Sequence, residues 1–227
     1  FKNEKIKEGH LTINLSGSAG QSLGAFGIKG LKINLFGDAN DYVGKGLSGA
    51  TITLRPHKKS KLETNNNSIL GNTVLYGATS GQLYAAGQAG ERFAVRNSGA
   101  TTVIEGCGSN GCEYMTGGRV VILGATGDNF GAGMTGGLAY IYDIDEKFKH
   151  RVNEETLVFG TIKSDYWTNE LHKLIVNHVE NTNSQHGKNI LEDWENEKKR
   201  FIQVCPIEII STLEQPLEFT KNLKQVN

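Results

Sequence analysis

Glycine returns along this chain at an almost fixed interval, and a short apolar run follows it each time. Gly9 precedes Leu11–Leu15, Gly30 precedes Leu31–Leu35, and Gly49 precedes Ala50–Leu54. Gly71 precedes Asn72–Tyr76, Gly90 precedes Glu91–Val95, Gly99 precedes Ala100–Ile104, Gly118 precedes Arg119–Leu123, and Gly137 precedes Leu138–Tyr142. The steps 30→49, 71→90, 99→118 and 118→137 are each 19 residues, while 9→30 is 21 and 49→71 is 22. The step 90→99 is only 9, and the register is lost there. One strand and one turn per ~20 residues is the signature of a stacked β-solenoid. A rod of this kind is usually a scaffold, so function is to be sought in what it joins.

In the first three runs the apolar residues alternate: Leu11/Ile13/Leu15, Leu31/Ile33/Leu35 and Ala50/Ile52/Leu54. Period two buries one face and leaves the other polar. In a single-stranded β-helix the buried face points into the coil, and coils stack about 4.8 Å apart, so six or seven make a rod roughly 30 Å long. Val120–Leu123 is apolar on both faces, which predicts that the outer side of the later strands is covered by the tail or by another domain. Coils this short turn sharply, at least cost at Gly, then at Asn or Asp. Gly37–Asp41, Asn97–Gly99, Ser109–Gly111 and Gly127–Asn129 carry that chemistry. The Lys- and Asn-rich insert Pro56–Ser68 accounts for the 22-residue step and reads as a solvated loop at one corner.

Of 29 glycines, only Gly160 and Gly187 lie beyond residue 150, which divides a coil region, 1–150, from a tail, 151–227. With 24 basic and 24 acidic residues, the chain has no charge bias toward nucleic acid or an anionic membrane. No apolar stretch approaches the ~20 residues that span a bilayer, and no signal peptide is visible. Three cysteines, Cys107, Cys112 and Cys205, cannot all pair with one another, which suits a reducing compartment such as the cytoplasm. The chain opens on Phe1, and its methionines are Met115 and Met134, as expected of a piece of a longer polypeptide.

Gly44-Lys45-Gly46-Leu47-Ser48-Gly49 matches the dinucleotide fingerprint G-x-G-x-x-G. That motif works only between a strand and a helix whose N-terminus holds the pyrophosphate. Here a strand follows instead, so the glycines read as a turn. Cys107 and Cys112 form C-x4-C with no second pair, short of the four convergent ligands of a zinc or iron–sulfur site. Their reading is packing at a corner. His172 and His178 are six residues apart and do not share a helix face, unlike the i, i+4 pair of a zinc site. No catalytic, cofactor-binding or metal-binding residue is assigned.

The tail carries two helical patterns. Leu171, Leu174, Ile175, His178 and Val179 predict a helix over 169–180 with Thr168 as N-cap. Ile190, Leu191, Trp194, Lys198 and Phe201 predict a second over 187–202, with Ser184 near its start and Pro206 beyond its end. Folded back, the two would cover a flank of the rod or its last coil. At the other end, Phe1–Glu8 is too short and charged to cap the first coil, around Leu11–Leu15, which leaves that end prone to self-association.

The blocks Gly17–Phe26, Gly37–Gly49, Gly71–Gly81, Gly90–Ala100, Gly111–Gly118 and Asn129–Gly137 resemble the C-terminal G-x-G-x-G domain of the glutamate synthase large subunit. The tail positions Leu174, Ile175, His178, Ile190, Leu191, Trp194, Phe201, Val204 and Pro206 are similar to that family's ending. The resemblance covers nearly the whole chain. It implies a right-handed β-helix with a helical tail, bridging the amidotransferase and synthase regions of a very large polypeptide. The complete family enzyme takes ammonia from glutamine and channels it to a flavin domain, where 2-iminoglutarate formed from 2-oxoglutarate is reduced to glutamate. The catalytic N-terminal cysteine, the FMN site and the iron–sulfur ligands lie in domains this chain lacks, and none maps onto Cys107, Cys112 or Cys205. The resemblance therefore implies a scaffold without chemistry of its own, partnered by the amidotransferase and FMN domains. Two alternatives stand beside it: a β-helix interaction subunit of another redox complex, such as formylmethanofuran dehydrogenase, and an independent nucleotide-binding protein using Gly44–Gly49.

Overall fold

The structure is a computed structural model and describes residues 7, 9–57 and 59–218. Most of Phe1–Glu8 lies outside the described residues. Seven strands stack in parallel and in sequence order: β1 (Leu11–Ala19), β2 (Leu31–Ala39), β3 (Ser48–Arg55), β4 (Ser80–Ala85), β5 (Ser98–Ile104), β6 (Thr116–Ile122) and β7 (Gly136–Tyr142). Ile13, Ile33, Ile52, Leu83, Thr102, Val120 and Ala139 form one in-register column through the stack. The chain is a β-solenoid of one strand per coil.

Asn72–Tyr76 and Glu91–Val95, expected to be strands, are turns. Two sets of glycines share the period, one at the corner and one at the strand, and the short step 90→99 crosses from the first to the second within one coil. Gly71 and Gly90 are small because neighbouring coils touch there. A Cβ on Gly71 would sit 2.4 Å from Asp41 Oδ1, and one on Gly90 2.2 Å from Asn72 Oδ1.

The corners are more regular than their composition suggests. Six coils turn through three positive-φ residues set two apart: Ser22/Gly24/Phe26, Tyr42/Gly44/Gly46, Thr73/Leu75/Gly77, Arg92/Ala94/Arg96, Asn110/Cys112/Tyr114 and Asn129/Gly131/Gly133. Alternating hand keeps the turn compact and aims its amides at both neighbouring coils in turn. Tyr42 and Gly46 donate forward to the carbonyls of Asn72 (2.9 Å) and Tyr76 (2.8 Å), while Gly44 donates back to Leu23 (2.9 Å). Left-handed backbone costs an ordinary L-residue roughly 1–2 kcal/mol, so the stacked hydrogen bonds and burial must hold Leu75 and Cys112 in place.

Two apolar clusters stabilise the rod. One fills the coils, with Leu54, Leu75, Phe93, Ile104, Cys112, Ile122 and Ile141 among its members. The other lies on the outer face of the later strands, where Tyr84, Val103, Val121, Leu138 and Tyr140 pack against the tail residues Trp167, Leu171, Leu174, Ile175 and Ile190. The two-sided apolar strands are thus covered by the tail. On β1 and β2 the same outer face is polar: Thr12 and Asn14 are exposed, while Lys32 and Asn34 are half-buried and Lys32 Nζ donates to Asn181 Oδ1 of the tail at 3.1 Å.

The tail is not wholly helical. It contains β8 (Leu157–Thr161), α1 (Asp165–Thr182), α2 (Gln185–Glu192), α3 (Trp194–Glu197) and β9 (Phe201–Pro206). Helix α1 begins one turn earlier than expected, with Ser164 rather than Thr168 at its N-cap; the Thr168 hydroxyl instead donates to Ser164 O (2.9 Å). The expected helix over 187–202 is broken at Asp193 and ends before Phe201, which opens a strand. The cause is tertiary. Tyr140 and its neighbours in β7 need backbone partners, and β9 supplies them antiparallel, with β8 pairing antiparallel beyond it. Alternation in β9 sends Val204 and Ile202 into the coil and Phe201 and Cys205 toward the tail. The last coil is therefore closed by strands and by Phe148, Val152 and Leu157, while α1 lies along the flank of β3 to β6. The insert Pro56–Ser68 is largely exposed and includes one 3-10 turn, Thr64–Asn66; Lys58 lies outside the described residues.

Candidate functional site

The residues singled out from sequence do not converge. Gly44 and Gly46 are the left-handed residues of the second corner, and Ser48 and Gly49 open β3. The amides a pyrophosphate would need are engaged: Gly44 with Leu23 O, Lys45 with Tyr42 O, Gly46 with Tyr76 O, Leu47 with Gly44 O and Ser48 with Gly27 O. Cys107 and Cys112 lie in the coil interior, and Cys205 lies in β9 against the tail cluster. His172 packs edge-on against Trp194 at 5.0 Å, while His178 faces Tyr84 and a buried carboxylate.

The cysteines do not fit an iron–sulfur cluster. They occupy two separate apolar clusters, and the described residues contain no group of three or more His, Cys, Asp or Glu able to hold a metal ion. Burial pushes the Cys107 and Cys205 thiols up to about 12, and pushes Cys112 up as well, with Cys107 adding to it. A thiol with so high a pKa stays protonated near neutrality and is a poor nucleophile. All three thiols of the folded chain are accordingly expected to resist a disulfide reagent at pH 8 and to react together once guanidinium unfolds it. Rapid reaction of one thiol in the native chain, followed by absorbance, would contradict this placement.

One polar cluster escaped the sequence reading. Glu105 follows β5 and is fully buried, as is His178 of α1. The hydroxyl of Ser184, N-cap of α2, donates to Glu105 Oε1 at 2.5 Å and accepts from Gly187 N at 2.8 Å. His178 Nε2 lies 3.4 Å from the same carboxylate oxygen. Burial raises the Glu105 pKa, but His178, with the Ser184 and Thr64 hydroxyls, outweighs it and leaves the carboxyl below its ordinary value. The signal was available: a lone acid interrupts the run Thr102-Val103-Ile104 and glycine. The group joins a coil to the tail, which makes it a fastener, with Thr64 of the insert close by. Beside it, a cleft of about 520 Å³ opens between the insert and the α1–α2 junction, lined by Arg55, His57, Thr64, Asn183 and Ser184. Further tail contacts lie on one side of the rod: Arg119 pairs with Glu170 (2.8 Å), Tyr140 donates to Glu170, and Tyr142 to Glu197.

The most distinctive geometry is thus the stacked corner itself, and comparison with known proteins agrees. The family profile described as the GXGXG motif matches residues 1–207. The chain belongs to the GXGXG family. Its relatives include the glutamate synthase [NADPH] large chain of Azospirillum brasilense, 59% identical over 95% of this chain and 14% of that protein. The ferredoxin-dependent glutamate synthase 2 of Synechocystis is 50% identical over 88% of the chain and 13% of that protein. The glutamate synthase [NADH] of Schizosaccharomyces pombe is 47% identical over 95% of the chain and 10% of that protein. The GXGXG chain therefore spans about a seventh of the length of the first of these relatives. All three are glutamate synthases, and the reading as a subunit of a different redox complex gains no support from them. The family motif takes its physical meaning from the corner: glycines two apart mark the positions where the backbone turns left-handed. No helix among the described residues is long and apolar enough to cross a membrane.

Proposed function

We propose that this GXGXG chain is the structural part of a glutamate synthase, a rod that holds the amidotransferase and FMN-binding regions of a large polypeptide in fixed relation. The whole enzyme would make glutamate from glutamine and 2-oxoglutarate by amidotransfer and reduction, in the cytoplasm or, in photosynthetic eukaryotes, the plastid. The observation that carries this reading is that 95% of the chain aligns with only 14% of a glutamate synthase large chain, while the coil spends its conspicuous motif on stacking. FMN and the iron–sulfur cluster belong, on this reading, to the rest of the enzyme. The same coil occurs in relatives named for NADPH, NADH and ferredoxin, so the choice of electron donor lies elsewhere.

The chain alone is expected to be colourless and to form no glutamate from glutamine and 2-oxoglutarate with any of these donors. Absorbance of the purified chain and a glutamate assay check this. Stoichiometric flavin, or turnover by this chain alone, would overturn the scaffold reading.

A further inference from the structure

We propose that the open end of the rod is a strand-receiving edge whose partner is an extended segment of alternating apolar residues, added to β1 as one more parallel rung. This rests on the reading of the chain as part of a larger protein, and it specifies how the neighbouring part attaches. The two ends of the solenoid are unlike. At one, β9 and β8 reverse direction, and Phe148, Val152 and Leu157 plug the coil. At the other, β1 is the edge of the sheet. There Leu11, Ile13 and Leu15 are 58%, 38% and 36% exposed, whereas Ile33, Leu35, Ile52 and Leu54, in register with Ile13 and Leu15, are buried. Phe26 is exposed too, but its ring leans over Gly46 of the next coil, as Tyr114 does over Gly133, so the exposed apolar row of this end is Leu11, Ile13 and Leu15. Contiguous exposed apolar surface of this kind marks a contact site.

Hydrogen bonding defines what fits. The Leu11 N–H donates to Gly30 O at 2.9 Å, toward β2. By strand alternation the amides of Thr12, Asn14 and Ser16 point the other way, to the open edge. The side chains extend the pattern: Asn34 Nδ2 donates to Asn14 Oδ1 at 2.9 Å, and the Asn14 amide hydrogens find no acceptor among the described residues. Donors at every second residue beside an apolar row at the alternate positions match an extended strand, as in other cases of strand addition. The stacking of Leu11-Thr-Ile-Asn-Leu15 on Leu31-Lys-Ile-Asn-Leu35 shows the form of such a rung. A second copy related by a two-fold axis would pair β1 antiparallel about Ile13. It would set Asn14 opposite Thr12 and break the amide ladder, which favours the parallel segment.

The probe is a synthetic peptide with the sequence of residues 10–20, added to the 227-residue chain. Saturable one-to-one binding is expected by fluorescence anisotropy. Without peptide, the amides of Thr12, Asn14 and Ser16 should exchange fastest among the strand amides, and peptide should slow them about tenfold or more. Leucine in place of the peptide's asparagine should weaken binding about tenfold, the value of one exchanged hydrogen bond. In the chain, Ser16→Pro removes an edge donor without touching a bond to β2, and should abolish binding while leaving tail tryptophan emission unchanged. Absence of binding by a folded monomer, or equal binding of the leucine peptide, would overturn the rung. So would a dimer formed through β1, which would assign the edge to a second copy. None of these results bears on flavin content or turnover, so the scaffold reading stands or falls separately.

Discussion

Replacing Gly118 with alanine is expected to destabilise the solenoid by about 3–5 kcal/mol, in the range reserved for backbone strain and overpacking. Two terms add. Gly118 holds φ +93, where an L-residue is strained, and a Cβ there would sit 2.3 Å from the carbonyl oxygen of Ala100 in the preceding coil. That oxygen already accepts from Asn97 Nδ2 at 3.0 Å, and the same new Cβ would come within 2.8 Å of that nitrogen. The terms can be separated at other glycines. Gly77 is left-handed at φ +65 but has nothing within 4 Å of a Cβ, so Gly77→Ala should cost only the conformational penalty, about 1 kcal/mol. Gly20 has neither restriction, and Gly20→Ala should be neutral or stabilising by about 0.5 kcal/mol through the unfolded chain. Urea unfolding of the three variants gives the order directly. Equal losses would refute close coil approach as the reason for glycine at 118.

Removing the Glu105 carboxylate should release the tail. Glu105→Ala leaves the Ser184 hydroxyl and His178 without their buried partner, and breaking such a group typically costs about 3–5 kcal/mol. Both tryptophans, Trp167 and Trp194, lie in the tail, so their emission reports docking without contribution from the coils. In the variant that emission should shift to the red at lower denaturant concentration than in the parent. The pH dependence adds a sign. The folded carboxyl titrates below its ordinary value of 4.5, so its contribution is complete above that pH and is lost as pH falls through the folded pKa. The parent should shed its tail progressively in acid below pH 4.5, whereas Glu105→Ala should lose that part of the dependence. An unchanged acid profile in the variant would assign the transition to other carboxylates.

Sequence showed the coil clearly where one face is apolar and the other polar. Leu11/Ile13/Leu15 and Leu31/Ile33/Leu35 announce their strands because alternation has no other reading. The two-sided run Val120–Leu123 also announced its cover, since Val121 and Leu123 had to face something apolar. The corners were harder. Glycine at 44 and 46 points to a left-handed backbone, but Phe26, Leu75, Arg92, Cys112 and Tyr114 occupy the same positions with no local preference for it. Their conformation is imposed by stacking, which no single coil encodes. The same override ended the last tail helix, where Ile190 and Trp194 keep helical spacing but Phe201–Pro206 is drawn into the sheet by the unpaired edge of β7. Glu105 was legible as an anomaly, not as a partnership, because His178 and Ser184 lie more than 70 residues away.

Alternation of hand at the corners gives the chain a parity. A single-residue insertion within Tyr42–Gly46 would move Val43 or Lys45 into a left-handed slot and aim every following amide at the wrong neighbour, whereas two residues would restore the sequence of hands. Length can vary freely only where hand is not counted, and the long insert between β3 and β4 occupies such a stretch, after the strand and outside the turn. Loop grafts into this rod should succeed there and fail at the corners, and any corner graft that survives should be even-numbered.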